Sequence, residues 1–121
     1  MGKALFVSVT GIDFADLLMH RLAQEGLRLF LLGAKPGVAE LAAESLQKKH
    51  PGLIISGCKD GYFQDSQEAV DAINAAGGAE VVFVCLGAPK QEHFMAEQLD
   101  KLDASLLCGL GGSLDVFAGT V

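Results

Sequence analysis

Apolar residues along this chain come in short unbroken runs, separated by stretches in which they recur every three or four positions. Residues 27–32 hold one charge, Arg28, and fit a strand buried on both faces; 53–56, 80–86 and 105–110 read as further strands, and residues 4–10 form another short apolar run. Between the runs, Phe14, Leu17, Leu18 and Leu22 predict a helix over 14–25 that Gly26 stops, with Asp13 placed to cap it. Val38, Leu41, Ala42, Ser45 and Leu46 line a second helix that Pro51-Gly52 ends. Ala69, Val70 and Ile73 mark a third over 66–76, and Phe94, Met95, Leu99 and Leu102 a fourth over 91–102. Gly57 to Phe63 reads as a loop.

Strands alternating with helices of this length call for a mostly parallel sheet whose right-handed crossovers place helices on its faces. The expected fold class is therefore α/β, a three-layer αβα, Rossmann-like domain. Three glycine turns, Gly33 to Gly37, Gly87 to Gln91 and Gly111 to Asp115, all follow the carboxyl ends of strands. In a parallel sheet those ends share one edge, so the turns should converge there and offer backbone N–H groups at helix starts to an anion. The middle turn is the most informative. Pro89 suits the first helical position and Glu92 the first turn, but Lys90 and Gln91 exceed what a helix start requires.

Composition narrows the chemistry. The 121 residues make one domain, half of them apolar and 15 of them glycine. A net charge of −6 with no basic run longer than Lys48-Lys49 lacks the footprint of a nucleic-acid binder. Cys58, Cys85 and Cys108 form no Cys-x-x-Cys pair and read as reduced thiols of a cytoplasmic protein. No apolar stretch approaches the roughly 18 residues that cross a bilayer, and no signal-type N-terminus is present. Neither the Gly-x-Gly-x-x-Gly dinucleotide fingerprint nor a Gly-x-x-x-x-Gly-Lys-Ser/Thr loop occurs. His20, His50 and His93 have no metal-ligand spacing, so no metal site is assigned.

The remaining candidates each have a plain alternative. Asp115 and Glu92 are carboxylates near the expected edge that suit hydroxyl binding or base catalysis, or else a turn N–H and a helix cap. Asp60 suits an Asx turn better than a base. Lys35, Lys59 and Lys90 are the cations nearest the turns, the first two being ordinary surface lysines by default.

Together the stretches Leu31 to Glu40, Gly57 to Phe63, Leu86 to Glu92 and Gly111 to Val116 with Ala118-Gly119, in that order and spacing, resemble the WecG/TagA/CpsF glycosyltransferase family. Thr10-Gly11-Ile12-Asp13 resembles a further motif of that family. The resemblance implies transfer of an N-acetylmannosamine-type sugar from a UDP donor to a polyprenyl-diphosphate-linked N-acetylglucosamine, with inversion and without metal or other cofactor. It implies a cytoplasmic enzyme, peripheral at the inner face of the bacterial membrane, serving wall teichoic acid, enterobacterial common antigen or capsule assembly. On the same ground Gln91 and Asp115 would contact donor or acceptor, and Gly111, Gly112 and Ser113 would approach the nucleotide. Thr10 and Asp13 would shape the floor of the site, and Gly33, Gly87, Lys90 and Glu92 would complete it.

The chain departs from the family pattern in ways that change the expectation. The aspartate taken as the family's base would lie upstream of Met1, so no catalytic residue is assigned within 1–121. Val7-Ser8 stands where an arginine usually faces the donor diphosphate, and the family's Arg-Ala-Pro continuation would follow Val121. Residues 1–121 are thus expected to be one nucleotide-sugar-binding domain that is a fragment of a longer one, with bare strand edges that favour self-association. The alternative is a catalytically impaired relative acting as a nucleotide-sugar-binding or assembly module.

Overall fold

The computed structural model describes residues 5–8, 12–87, 89–111 and 117. In chain order the elements are β1 (Leu5–Ser8), α1 (Ile12–Glu25), β2 (Arg28–Gly33), α2 (Val38–Lys49), β3 (Ile54–Lys59), α3 (Ser66–Ala75), β4 (Ala79–Cys85), α4 (Lys90–Gln98) and β5 (Ala104–Gly109). A 3₁₀ turn, Leu99–Lys101, extends α4. The strands form one sheet in the order β1-β5-β4-β2-β3, and every pairing is parallel. The expected αβα architecture is therefore present, with a sheet that is parallel throughout its described strands.

The strand order explains the layers. From β1 through β2 to β3 the chain steps toward one edge of the sheet, and from β3 through β4 to β5 it steps back. With right-handed crossovers the two directions put their helices on opposite faces. Accordingly Ala15, Met19 and Leu22 of α1 and Ala39, Ala42 and Leu46 of α2 share a core with Leu29, Leu31 and Phe83. Ala69, Val70 and Ile73 of α3 and Phe94 and Met95 of α4 share the other with Phe30, Leu32, Val82 and Val84. Alternate residues of β2 and β4 feed alternate cores, as the two-residue period of a strand requires. Between β2 and β4 lies the point where successive crossovers diverge.

Several sequence expectations are corrected. Phe14 and Leu17 do not face inward: they are 44% and 71% exposed, and Ala15, Met19 and Leu22 carry the buried stripe of α1 instead. In α2, Ala39 and Ala43 are buried while Leu41 is half exposed and Ser45 is exposed. In both helices alanine supplies part of the buried stripe, so side-chain size alone does not mark the inner face. Strand β3 runs through Gly57 and Cys58 to Lys59, which the pattern assigned to a loop. A Cβ at Gly57 would stand 2.8 Å from Phe30 Cε2, so this glycine marks close packing inside a strand, not a turn. Pro89 is the N-cap of α4, one position before the first helical residue, and Asp13 lies inside α1, not at its cap. Elsewhere the expectation holds: Gly26, at φ 68°, ends α1 with Leu27 N–H donating to Leu22 O at 3.0 Å, and the buried residues of α3 are the three named.

At the amino edge of the sheet, Arg28 of β2 donates to Glu80 of β4, Nη2 to Oε2 at 2.9 Å and Nε to Oε1 at 3.2 Å, and reaches Gly77 O at 2.8 Å. The guanidinium and the Arg28 backbone N–H hold the Glu80 carboxyl down at about 2, from an ordinary value of 4.5. A depressed carboxylate stabilises the fold fully above its unfolded pKa, and that contribution is lost as pH falls from about 4.5 through about 2. Both side chains are about one third exposed, so solvent screening limits the pair to about 1 kcal/mol. Glu80→Gln is expected to lose that amount in urea unfolding at pH 7. The gap from the native protein should close between pH 4.5 and pH 2, and a gap unchanged by acid would assign the stabilisation elsewhere.

Candidate nucleotide-sugar cleft

The opposite, carboxyl edge carries the glycine turns. Strand β2 ends at Gly33, which pairs with Cys85 at the end of β4. Gly33 has φ 138°, and a Cβ there would stand 2.3 Å from Cys85 O. Only glycine lets the two strands close at this point. Ala34 follows at φ 63°, a left-handed conformation uncommon outside glycine. Its carbonyl accepts from Gly61 N–H at 2.9 Å, which ties the turn after β2 to the loop after β3.

That loop is shaped by its own turn chemistry. Asp60 Oδ1 accepts from Tyr62 N–H at 2.8 Å, the Asx turn expected of this residue, while Lys59 lies 3.4 Å from Oδ2. The Tyr62 N–H foremost, with Lys59, holds the Asp60 carboxyl below the usual carboxylate range. The loop then presents Tyr62 at the surface and buries Phe63, whose ring meets Phe94 of α4 at 6.0 Å between centroids.

The third turn leaves β4 through Leu86 and Gly87 and enters α4. Lys90, the first residue of that helix, reaches back across the gap: Nζ donates to Gly61 O at 3.0 Å and stands 4.7 Å from the centroid of Phe63. Between the turns lies a cleft of about 400 Å³, lined by Ala34, Gly61, Tyr62, Phe63, Cys85, Leu86 and Lys90. It opens where the crossovers after β2 and β4 leave on opposite faces, the place where open α/β sheets receive ligands. Among its described lining residues Lys90 is the one cation. Burial pushes the Cys58 and Cys108 thiols up to about 11, so neither supplies a thiolate near neutral pH.

Gln91 lies one residue further. Among the described residues it is the one buried polar side chain, 5% exposed, and both ends of its carboxamide are engaged. Oε1 accepts from Gly87 N–H at 3.2 Å and from Gly111 N–H at 3.0 Å, while Nε2 donates to Glu92 Oε2 at 3.2 Å.

Of the residues expected at the site, Gly33, Gly87, Lys90, Gln91, Glu92 and Gly111 stand at this one edge. Thr10, Gly112, Ser113 and Asp115 lie outside the described residues, as do the side chains of Asp13 and Ser8. Residue patterns missed Ala34, whose backbone no local signal betrays, and Cys85 and Leu86, which read as ordinary strand. Tyr62 and Phe63 were marked only by the family resemblance. Among the described residues no three His, Cys, Asp or Glu side chains gather as metal ligands, and no helix is long and apolar enough to cross a membrane.

Comparison with known proteins supplies what geometry leaves open. The model of the Glycosyl transferase WecG/TagA/CpsF family matches residues 1–121. The chain is also 37% identical over 121 residues to an N-acetylglucosaminyldiphosphoundecaprenol N-acetyl-beta-D-mannosaminyltransferase of Bacillus spizizenii. That alignment takes in 100% of this chain and 47% of the relative, so the chain spans about half the length of the protein it matches.

Proposed function

Because this chain belongs to the WecG/TagA/CpsF glycosyltransferase family, we propose that it is the nucleotide-sugar-binding core of a UDP-dependent N-acetylmannosaminyltransferase. The acceptor on this reading is a polyprenyl-diphosphate-linked N-acetylglucosamine, as the name of the Bacillus relative implies for that protein. The observation that carries the reading is the cleft at the divergence of β2 and β4, with one ammonium group at its mouth. Its volume is at the low end for small-molecule sites and suits part of a nucleotide sugar.

Each half of such a ligand finds matching chemistry. Tyr62, 66% exposed at the rim, offers a ring face to a base. Lys90 offers charge to a diphosphate. In an inverting displacement the acceptor hydroxyl yields its proton to a general base and its oxygen bonds to the sugar carbon as the bond to the departing UDP oxygen breaks, so negative charge grows on the diphosphate. A cation at that position favours the transition state over the ground state. Asp115 and Ser113 are proposed to complete the donor site, and Thr10 and Asp13 its floor. The lipid of the acceptor would bring the working protein to the membrane surface.

Calorimetric titration with UDP and with UDP-N-acetylmannosamine tests this, with NAD as control. Binding of both uridine ligands near micromolar, about −8 kcal/mol, and no binding of NAD is the expected result. A folded chain that ignores both uridine ligands would overturn the nucleotide-sugar reading and favour an assembly role.

A further inference from the structure

The Gln91 carboxamide is placed unlike a ligand-binding group. It is buried, and its oxygen already accepts two backbone N–H donors, from Gly87 and Gly111. A carbonyl oxygen has two lone pairs, so no acceptor capacity is left for a substrate hydroxyl. One hydrogen of Nε2 is committed to Glu92. Meanwhile Gln91 N–H donates to Gly87 O at 2.8 Å, so Gly87 and Gln91 close a reciprocal pair of bonds around the turn that opens α4.

The two amides belong to different turns. Strands β4 and β5 run in register to Val84 and Gly109, and Leu110 N–H then donates to Val84 O at 3.0 Å. At the next residue the chain turns, with Gly111 at φ 64°, as β4 turned at Gly87, with φ 81°. The strand register itself runs only to Val84 and Gly109. Gln91 takes over, one atom holding both turns.

We infer that Gln91 is a positioning residue, whose carboxamide oxygen clasps the Gly87 and Gly111 amides and so fixes the spacing of the two glycine turns that flank the diphosphate of a bound nucleotide. This removes Gln91 from the groups that touch the ligand. Its effect on binding passes through the turns it holds. The binding half of this inference rests on the proposed nucleotide-sugar reading, whereas the clasp itself does not.

Amide hydrogen exchange on the nitrogen-15-labelled chain, with and without UDP, separates the two. In Gln91→Met, which keeps the length of the side chain but cannot accept, the Gly87 and Gly111 amides should exchange about tenfold faster or more. UDP affinity should fall with them. The double variant Gln91→Glu/Glu92→Gln reverses the polarity of the pair while keeping its charge: the new carboxylate accepts both amides and the new carboxamide donates back. Exchange at both glycines should then return to within about threefold of the native values, and UDP affinity to that of Glu92→Gln alone.

Unchanged exchange in Gln91→Met overturns the clasp. Restored exchange in the double variant with UDP binding still weaker than in Glu92→Gln alone also overturns the inference, because Nε2 would then be a ligand contact. If Gln91→Met does not fold, the double variant decides alone, native-like protection supporting the clasp and lost protection refuting it. If the native chain ignores UDP, the nucleotide-sugar reading fails and the exchange rates still judge the clasp.

Discussion

Gly33→Ala should destabilise the protein by about 3 kcal/mol or more and abolish UDP binding. The added methyl would stand 2.3 Å from Cys85 O and 2.7 Å from Cys85 C, and both are backbone atoms of a central strand that no rotamer change can remove. Relief requires β2 and β4 to separate where they pair Gly33 with Cys85. The substitution also imposes a side chain on φ 138°, which L-residues rarely adopt. Both costs fall at the cleft, whose lining includes Ala34 and Cys85 on either side of this contact. Urea unfolding and calorimetry on the same preparation check both effects. Gly37→Ala is the control: it has φ 91°, but a Cβ there would meet nothing within 4 Å, so it should carry the backbone strain alone. Equal losses in the two variants would show that the close approach of β2 to β4 contributes nothing.

Lys90→Met is the complementary case, with a large effect on binding and a small one on stability. The ammonium donates one bond to Gly61 O and lies over Phe63 at the mouth of the cleft, leaving other N–H donors for an incoming phosphate. Losing a charge-assisted bond to a diphosphate should weaken UDP binding between about tenfold and about a hundredfold. Stability should fall by about 0.5–1 kcal/mol, the worth of an exposed cation over an aromatic ring. Calorimetry with UDP and with uridine distinguishes the roles. Uridine has no phosphate, so its binding should be almost unchanged in Lys90→Met. Equal losses for the two ligands would instead assign Lys90 to shaping the Gly61 to Phe63 loop.

Which features could be read from the sequence follows from the range of the interactions behind them. The alternation of apolar runs with helical spacing is local, and it led to the parallel sheet and to glycine turns at one edge. The inner faces of α1 and α2 are not legible from the larger apolar residues, because alanines share the buried stripe. Ala15, Ala39 and Ala43 are buried in that core, and alanine carries little pattern weight beside Phe14 or Leu41. The pattern ends β3 before Gly57 because glycine reads as a turn unless the ring of Phe30, 27 residues away in sequence, is known to lie against it. At the site, Lys90 and Gln91 stood out as more than a helix start needs. Their partners did not, since Gly61, Phe63 and Gly111 are brought in only by the order of the strands.

The divergence of the crossovers between β2 and β4 has a mechanical consequence. The two faces of the sheet carry separate cores, one held by α1 and α2 and the other by α3 and α4. The rim of the cleft is built from the start of the path to α2 at Ala34, the loop leading to α3 at Tyr62 and Phe63, and the first residue of α4 at Lys90. A nucleotide seated there would act as a keystone, bearing at once on segments that lead into both layers. Its binding energy would add to the cohesion of the whole sheet, and occupancy a hundredfold above the dissociation constant would raise the unfolding free energy by about 2.7 kcal/mol. On the proposed reading, the supply of nucleotide would then govern how long the protein stays folded.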